Sequence, residues 1–255
     1  MNPDEKKQAV IVTSFGTTVE QARGSITAVE ETLAACAPGY TFLRAFTSPT
    51  IRRILAGRGE RVPSLPEAMD QLHGQGFTHV IVQPTHLLYG YEYDNLHAQA
   101  LSLTARFASV KIGRPLLSDN QAIQQFAGRL CQTHPNKKGH AAVFLGHGTA
   151  HFANAAYPAL QTALRLLGRD DLYIGTVEGW PGLSDVAREL APYRPLKVDL
   201  VPLMLAAGEH AKKDMAVSWK NSLEQAGHTV SCSFQGLGEL PWVQQMYRER
   251  LLEVL

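Results

Sequence analysis

Cysteine is scarce in this chain of 255 residues: Cys36, Cys131 and Cys232 stand far apart, with no CxxC spacing. That excludes a disulfide framework and a thiolate metal site, and leaves buried free thiols in a reducing compartment as the expectation. Charge of one sign is also lacking. Lys and Arg total 24, Asp and Glu 23, and the formal net charge is +1. Without a basic excess, nucleic acid is not expected as a partner, and any polyanionic small ligand needs a local cationic patch. No apolar run approaches the ~20 residues of a membrane span, so no membrane association is expected. Residues 1–8 are polar and charged, which is unlike a secretory signal, and a cytoplasmic location is expected.

What the chain does have is apolar material and rhythm. It is 45% hydrophobic and 18% charged, enough for a sizeable core and against disorder. Short flat apolar runs without helical period predict buried parallel strands near residues 9–12, 40–46, 79–83, 110–114, 141–145, 172–177, 197–202 and 229–234. Stretches with apolar residues three and four apart predict helices between them. These lie near 18–35, 49–55, 64–74, 92–108, 119–134, 152–167, 183–190, 209–225 and 241–254. Alternation of this kind predicts an α/β fold. The polar turn Asn136-Lys137-Lys138-Gly139 is the best boundary, giving domains 1–136 and 137–255.

The halves look duplicated. Ser14-Phe15-Gly16-Thr17 matches Gly146-His147-Gly148-Thr149, Pro49 matches Pro181, and Pro84 and Gly90 have the spacing of Pro202 and Gly208. The expectation is two similar Rossmann-like domains, each a parallel sheet flanked by helices, with a cleft between them. The first half is lengthened near its Gly- and Arg-rich stretch at 57–63. On this register Phe15 pairs with His147, Phe46 with Glu178, and Glu92 with His210.

The chemistry follows from that pairing. Ligands bind off the carboxyl ends of strands in open α/β sheets, where the second half carries His147, Glu178 and His210. Neutral imidazole is a common divalent-metal ligand, and two His with one carboxylate suit Zn, Fe, Co or Ni. A plainer reading stays open for each: a loop-bonded histidine, a helix-capping carboxylate, a first-turn histidine. In the first half Glu92 is a candidate proton acceptor and His86 a candidate relay. Phe15, Phe46 and Tyr89 are candidates to line an apolar ligand. Arg44, Arg52 and Arg53, with Arg58 and Arg61, are candidates to meet carboxylates through guanidinium forks. His151 follows His147 by one helical turn, but the glycine turn is expected to separate them.

At these residues the sequence resembles the sirohydrochlorin cobaltochelatases of the anaerobic cobalamin pathway, in the class II chelatase superfamily that includes protoporphyrin ferrochelatase. The pieces are Ser14-Phe15-Gly16-Thr17, Arg44-Ala45-Phe46-Thr47-Ser48, Gly90-Tyr91-Glu92-Tyr93, Gly146-His147-Gly148, Val177-Glu178, and residues 202–210, PLMLAAGEH. The resemblance spans nearly the whole chain. It implies Co2+ insertion into sirohydrochlorin with release of two protons, metal on His147, Glu178 and His210, and an active-site role for Glu92. It implies Co2+ as substrate metal, with Fe2+, Ni2+ or Zn2+ as substitutes, and no organic cofactor. A homo-oligomer is compatible with it. Alternatives are a sirohydrochlorin ferrochelatase for sirohaem synthesis and a non-enzymatic divalent-metal-binding protein.

Overall fold

In the computed structural model, which describes residues 7–193, 196–208 and 212–255, eight strands form two four-stranded sheets. The first sheet contains β1 (Gln8–Ser14), β2 (Thr41–Phe46), β3 (His79–Pro84) and β4 (Ser109–Ile112), in the order β2-β1-β3-β4. The second contains β5 (His140–Gly146), β6 (Leu172–Thr176), β7 (Lys197–Pro202) and β8 (Thr229–Cys232), in the order β6-β5-β7-β8. Every pairing is parallel. The two orders are the same topology, which is the α/β duplication read from the sequence.

The chain divides into one compact unit of 1–116 with 238–255, and another of 117–237. This departs from the sequence boundary at 136 on two counts. Helix α5 (Asn120–Thr133) packs on α6 (Ala156–Leu166), and so belongs with the second sheet. The last helix, α9 (Pro241–Leu252), packs on α1 (Glu20–Cys36) and returns to the first unit. Tyr247 of α9 is fully buried, and its hydroxyl donates to the carbonyl of Thr85 at 2.7 Å, just past β3. A buried phenol must find such an acceptor, and this one anchors the helix.

In the first unit, α2 (Pro49–Gly57), α3 (Leu65–Gly74) and α4 (Tyr91–Ser102) fill the crossovers. Side chains alternate faces along a strand, so Ala9 and Ile11, Val80 and Val82, and Ala45 share one face. There they pack with Leu65, Met69 and Leu72 of α3 and Leu96 and Ala100 of α4. Ser64 starts α3 through a capping box with Glu67. The second unit has only α7 (Leu183–Leu190) and a single 3-10 turn before β7, so α3 accounts for much of the first half's extra length. Its core packs Val143, Leu145, Tyr173, Val198 and Leu200 against Val186 and Leu190 of α7 and Met215, Trp219 and Leu223 beyond β7.

Several expected elements are shorter or divided. The helix expected over 92–108 ends at Ser102 and is followed by a 3-10 turn. The one expected over 152–167 is a 3-10 turn, Phe152–Ala155, then α6. Of the helix expected over 209–225, residues 209–211 lie outside the described part. The remainder includes a π-helical stretch, Asp214–Trp219, and α8 (Lys220–Gln225).

Candidate functional site

The hydrogen bonds at the strand ends give a register independent of the sequence repeat. Thr85 N–H bonds the Thr13 carbonyl at 2.8 Å, and Leu203 N–H bonds that of Leu145 at 2.8 Å. Thr13 therefore corresponds to Leu145, and Phe15 to His147, as the motifs suggest. On the other side, Thr47 N–H bonds Ser14 and Val177 N–H bonds Gly146, at 2.9 and 3.0 Å. One residue further, Ser48 N–H bonds Phe15 and Glu178 N–H bonds His147, at 3.3 and 2.7 Å. Glu178 thus corresponds to Ser48. The constant-offset pairing of Glu178 with Phe46 is corrected, because the link from β5 to β6 is two residues shorter than that from β1 to β2.

The difference matters for Glu178. Ser48 caps α2 directly, its side chain accepting from Ile51 N–H. In the second unit Gly179, Trp180 and Pro181 intervene, and α7 is capped at Gly182, whose N–H donates to Asp185 Oδ2 at 3.0 Å. Glu178 is therefore no helix cap. It is carried on the added loop with its side chain 67% exposed, and the His147 side chain is 58% exposed.

These two side chains converge. His147 Nδ1 lies 3.7 Å from Glu178 Oε2. Ligand bonds of about 2.1 Å at near-tetrahedral or octahedral angles set donor atoms about 3.0–3.4 Å apart, so a small closure would let one divalent ion bind both. The sheet order places His147 well for this. The chain leaves β5 outward to β6, then returns across it to β7, so the topological switch falls beside β5. His210, the third expected member, lies outside the described residues. Among the described residues no three His, Cys, Asp or Glu side chains gather as a metal site.

Backbone contact holds the two loops together. Gly148 has φ +82, and a Cβ there would sit 2.4 Å from the Gly179 nitrogen, so both must be glycine for the loops to approach. Asn154 spans them. Its Oδ1 accepts from Thr149 N–H at 3.1 Å, and its Nδ2 donates to the Trp180 carbonyl at 2.6 Å. Both partners are backbone groups, which fixes the orientation of the amide. The loop is further turned by Thr149 Oγ1, which accepts from His151 N–H at 3.1 Å, and by His151 Nδ1, which accepts from Ala153 N–H at 3.0 Å. His151 is thus a local cap and not a helical neighbour of His147. Sequence reading missed Asn154, Gly179 and the exposed aromatics Phe152 and Trp180. The available signal was a glycine directly after His147 and directly after Glu178.

In the first unit the expected residues separate. Phe15 is 50% exposed, but Phe46 is fully buried. Its ring lies where a Cβ on Gly16 would stand, at 2.6 Å, so it supports the turn and presents no face to a ligand. Arg44 is also corrected. Its Nε bonds both oxygens of Glu30 at 2.8 and 3.0 Å, its Nη2 bonds Glu30 and Thr27, and the guanidinium is committed to α1. Arg52 pairs with Glu67 at 3.0 Å and Arg58 with the Thr18 carbonyl at 2.7 Å, whereas Arg53 is exposed on α2. Both ring nitrogens of His86 are buried without a hydrogen-bond partner, and desolvation lowers its pKa to about 4. It is neutral at ordinary pH, so the relay expected of it has little basicity to work with. Tyr89 packs edge-on against Tyr93, with ring centroids 4.8 Å apart. Burial raises the Tyr93 phenol to about 12, so it stays protonated. Glu92 is half-buried in the first turn of α4.

An exposed imidazole–carboxylate pair at the switch point of a duplicated parallel α/β fold offers the hard and borderline donors that suit a divalent ion, which is the chemistry of a metal-handling class of protein. The chain belongs to the cobalt chelatase (CbiK) family, whose model matches residues 8–255. It is 35% identical over 259 aligned residues to the sirohydrochlorin cobaltochelatase of Salmonella typhimurium strain LT2, covering 98% of this chain and 97% of that one. It is 32% identical over 229 residues to sirohydrochlorin cobaltochelatase CbiKC of Nitratidesulfovibrio vulgaris strain Hildenborough, covering 87% and 81%. SirB from Bacillus subtilis, solved with Fe3+, shares the fold at a TM-score of 0.69 and 17% identity, covering 97% of this chain and 95% of SirB.

Proposed function

We propose that this protein inserts Co2+ into sirohydrochlorin, releasing the two inner pyrrole protons, in early-cobalt cobalamin synthesis. The observation that carries the reading is the approach of His147 and Glu178 to 3.7 Å on neighbouring strand ends, in a chain of the cobalt chelatase family. His147 and Glu178 are the first two ligands of the substrate metal, and His210 is the third. Their exposure leaves coordination positions open to water, which the ring nitrogens then replace. A site without thiolate holds cobalt loosely enough to give it up, because its donors match the ion's hardness without the strong soft bond of sulfur.

Insertion also requires that two N–H protons leave. Glu92 takes one of them and passes it to solvent, and the imidazole of His147, released as the metal moves to the ring, takes the other; the neutral, buried His86 accepts neither. Phe15 and Tyr89 offer apolar surface to the macrocycle, and Arg53 meets its peripheral carboxylates. Cobalt as the working metal is supported by the family and its named relatives. The donor set itself also accepts Fe2+, Ni2+ and Zn2+. The reaction uses no organic cofactor.

The test is Co2+ insertion followed by absorbance. His147→Ala is expected to abolish it, and near-normal turnover overturns the assignment. Glu92→Gln is expected to slow insertion while Co2+ binding persists; if Co2+ binding is lost instead, Glu92 is a ligand and not the base.

A further inference from the structure

His147 and Glu178 are more than half exposed, and the contact of His147 Nδ1 with the Gly148 carbonyl at 3.3 Å stays within its own loop, so it does not fix the distance between the two side chains. The distance is set by how the two loops are joined. The backbone supplies the Val177 N–H to Gly146 and Glu178 N–H to His147 carbonyl bonds, of 3.0 and 2.7 Å, and the Gly148–Gly179 approach. A side chain supplies a further joint. Asn154 accepts from Thr149 two residues beyond His147, and donates to Trp180 two residues beyond Glu178. It also lies against Gly179, where a Cβ would fall 2.3 Å from its Oδ1.

We propose that Asn154 is a positioning residue for cobalt capture: its carboxamide clasps the loop after β5 to the loop after β6 and thereby sets the separation of His147 from Glu178. This rests on the reading of those two residues as metal ligands. The clasp belongs to the ligand-bearing unit. In the first unit, Ser48 leads straight into α2, so there is no added loop to hold. The clasp also needs a carboxamide. It must accept on one side and donate on the other, and among side chains of that length only asparagine does both at neutral pH.

The test compares Asn154→Ala and Asn154→Asp with wild type. Co2+ affinity is measured by competition with a colorimetric chelator, and insertion kinetics are taken against each substrate separately. Asp keeps the acceptor toward Thr149 but sets a lone pair against the Trp180 carbonyl, and it is close enough in shape to fold where Ala does not. Both variants are expected to weaken Co2+ binding about tenfold or more, the usual cost of losing a group that orients a ligand. KM is expected to rise for Co2+ and not for sirohydrochlorin, a split that general loosening of the fold does not produce. In a Glu178→Gln background, Asn154→Asp is expected to add little, since it acts through Glu178. Co2+ affinity within about twofold of wild type in a folded variant overturns the proposal. Equal increases in both KM values also overturn it. If His147→Ala leaves Co2+ affinity intact as well, it is the underlying metal-site reading that falls. If His147→Ala loses cobalt and the Asn154 variants do not, only the clasp falls.

Discussion

Replacing Glu178 by Gln tests the metal pair with the least structural disturbance. The two side chains are nearly isosteric, the site is exposed, and the backbone bond from Glu178 N–H to His147 is untouched. What changes is charge. A +2 ion and a carboxylate oxygen about 2.1 Å apart attract by about 4 kcal/mol even at the dielectric constant of water, which is the fitting choice for so exposed a pair. The Gln oxygen returns part of this as a dipole. The expected net loss is therefore about 2.7 kcal/mol, or about 100-fold in Co2+ affinity. Chelator competition measures the affinity directly. Initial rates of insertion then show whether the loss appears in the KM for Co2+ while that for sirohydrochlorin stays level. Co2+ affinity within about threefold of wild type would refute the argument, because no plausible compensation hides a missing anionic ligand.

Two further outcomes follow from the first unit. Arg44→Ala is expected to cost about 2 kcal/mol of stability by stranding half-buried Glu30, without changing the KM for sirohydrochlorin, whereas Arg53→Ala raises that KM without loss of stability. Denaturation midpoints and saturation kinetics on the two variants separate these roles. His86 should make the fold acid-sensitive. Its folded pKa of about 4 is below the unfolded value, so its neutral form contributes no penalty above about pH 6.5, and stability is lost as pH falls from there toward 4. The loss between about pH 7 and pH 5 is about 2 kcal/mol, and His86→Phe, measured by urea titration at both pH values, should abolish most of it.

Much of the fold was legible because its signals are local and repeated. Flat apolar runs such as Val143-Phe144-Leu145 became central parallel strands, and the apolar period of Leu65, Met69 and Leu72 became the buried face of α3. The boundary was less legible. Nothing in residues 241–252 says which sheet they will cover, since that depends on where Tyr247 finds an acceptor for its hydroxyl, and the acceptor is the distant Thr85 carbonyl. The same limit applies to the arginines. A cluster of guanidinium groups reads as a carboxylate patch until tertiary structure assigns partners, and Glu30 takes Arg44. Phe46 reads as an aromatic at a strand end, but its burial is decided by the bare Gly16 that leaves room for its ring.

The repeat itself explains why the proposed metal pair, His147 with Glu178, appears in the second half. Both units share strand order and the hydrogen bonds that join the first strand's end to its two neighbours, so the backbone frame at the switch point is the same. The first unit closes this frame at once, with Ser48 spent on capping α2 and Phe46 filling the space beside Gly16. The second delays the helix by the length of Gly179, Trp180 and Pro181, and the residue corresponding to Ser48 becomes Glu178, free of capping duty. A free carboxylate is useful only if its loop is held near His147, and the contacts of Gly148, Gly179 and Asn154 do that. A histidine placed at Phe15 would therefore not by itself convert the first unit into a metal site. The carboxylate loop and its fastening would also have to be supplied.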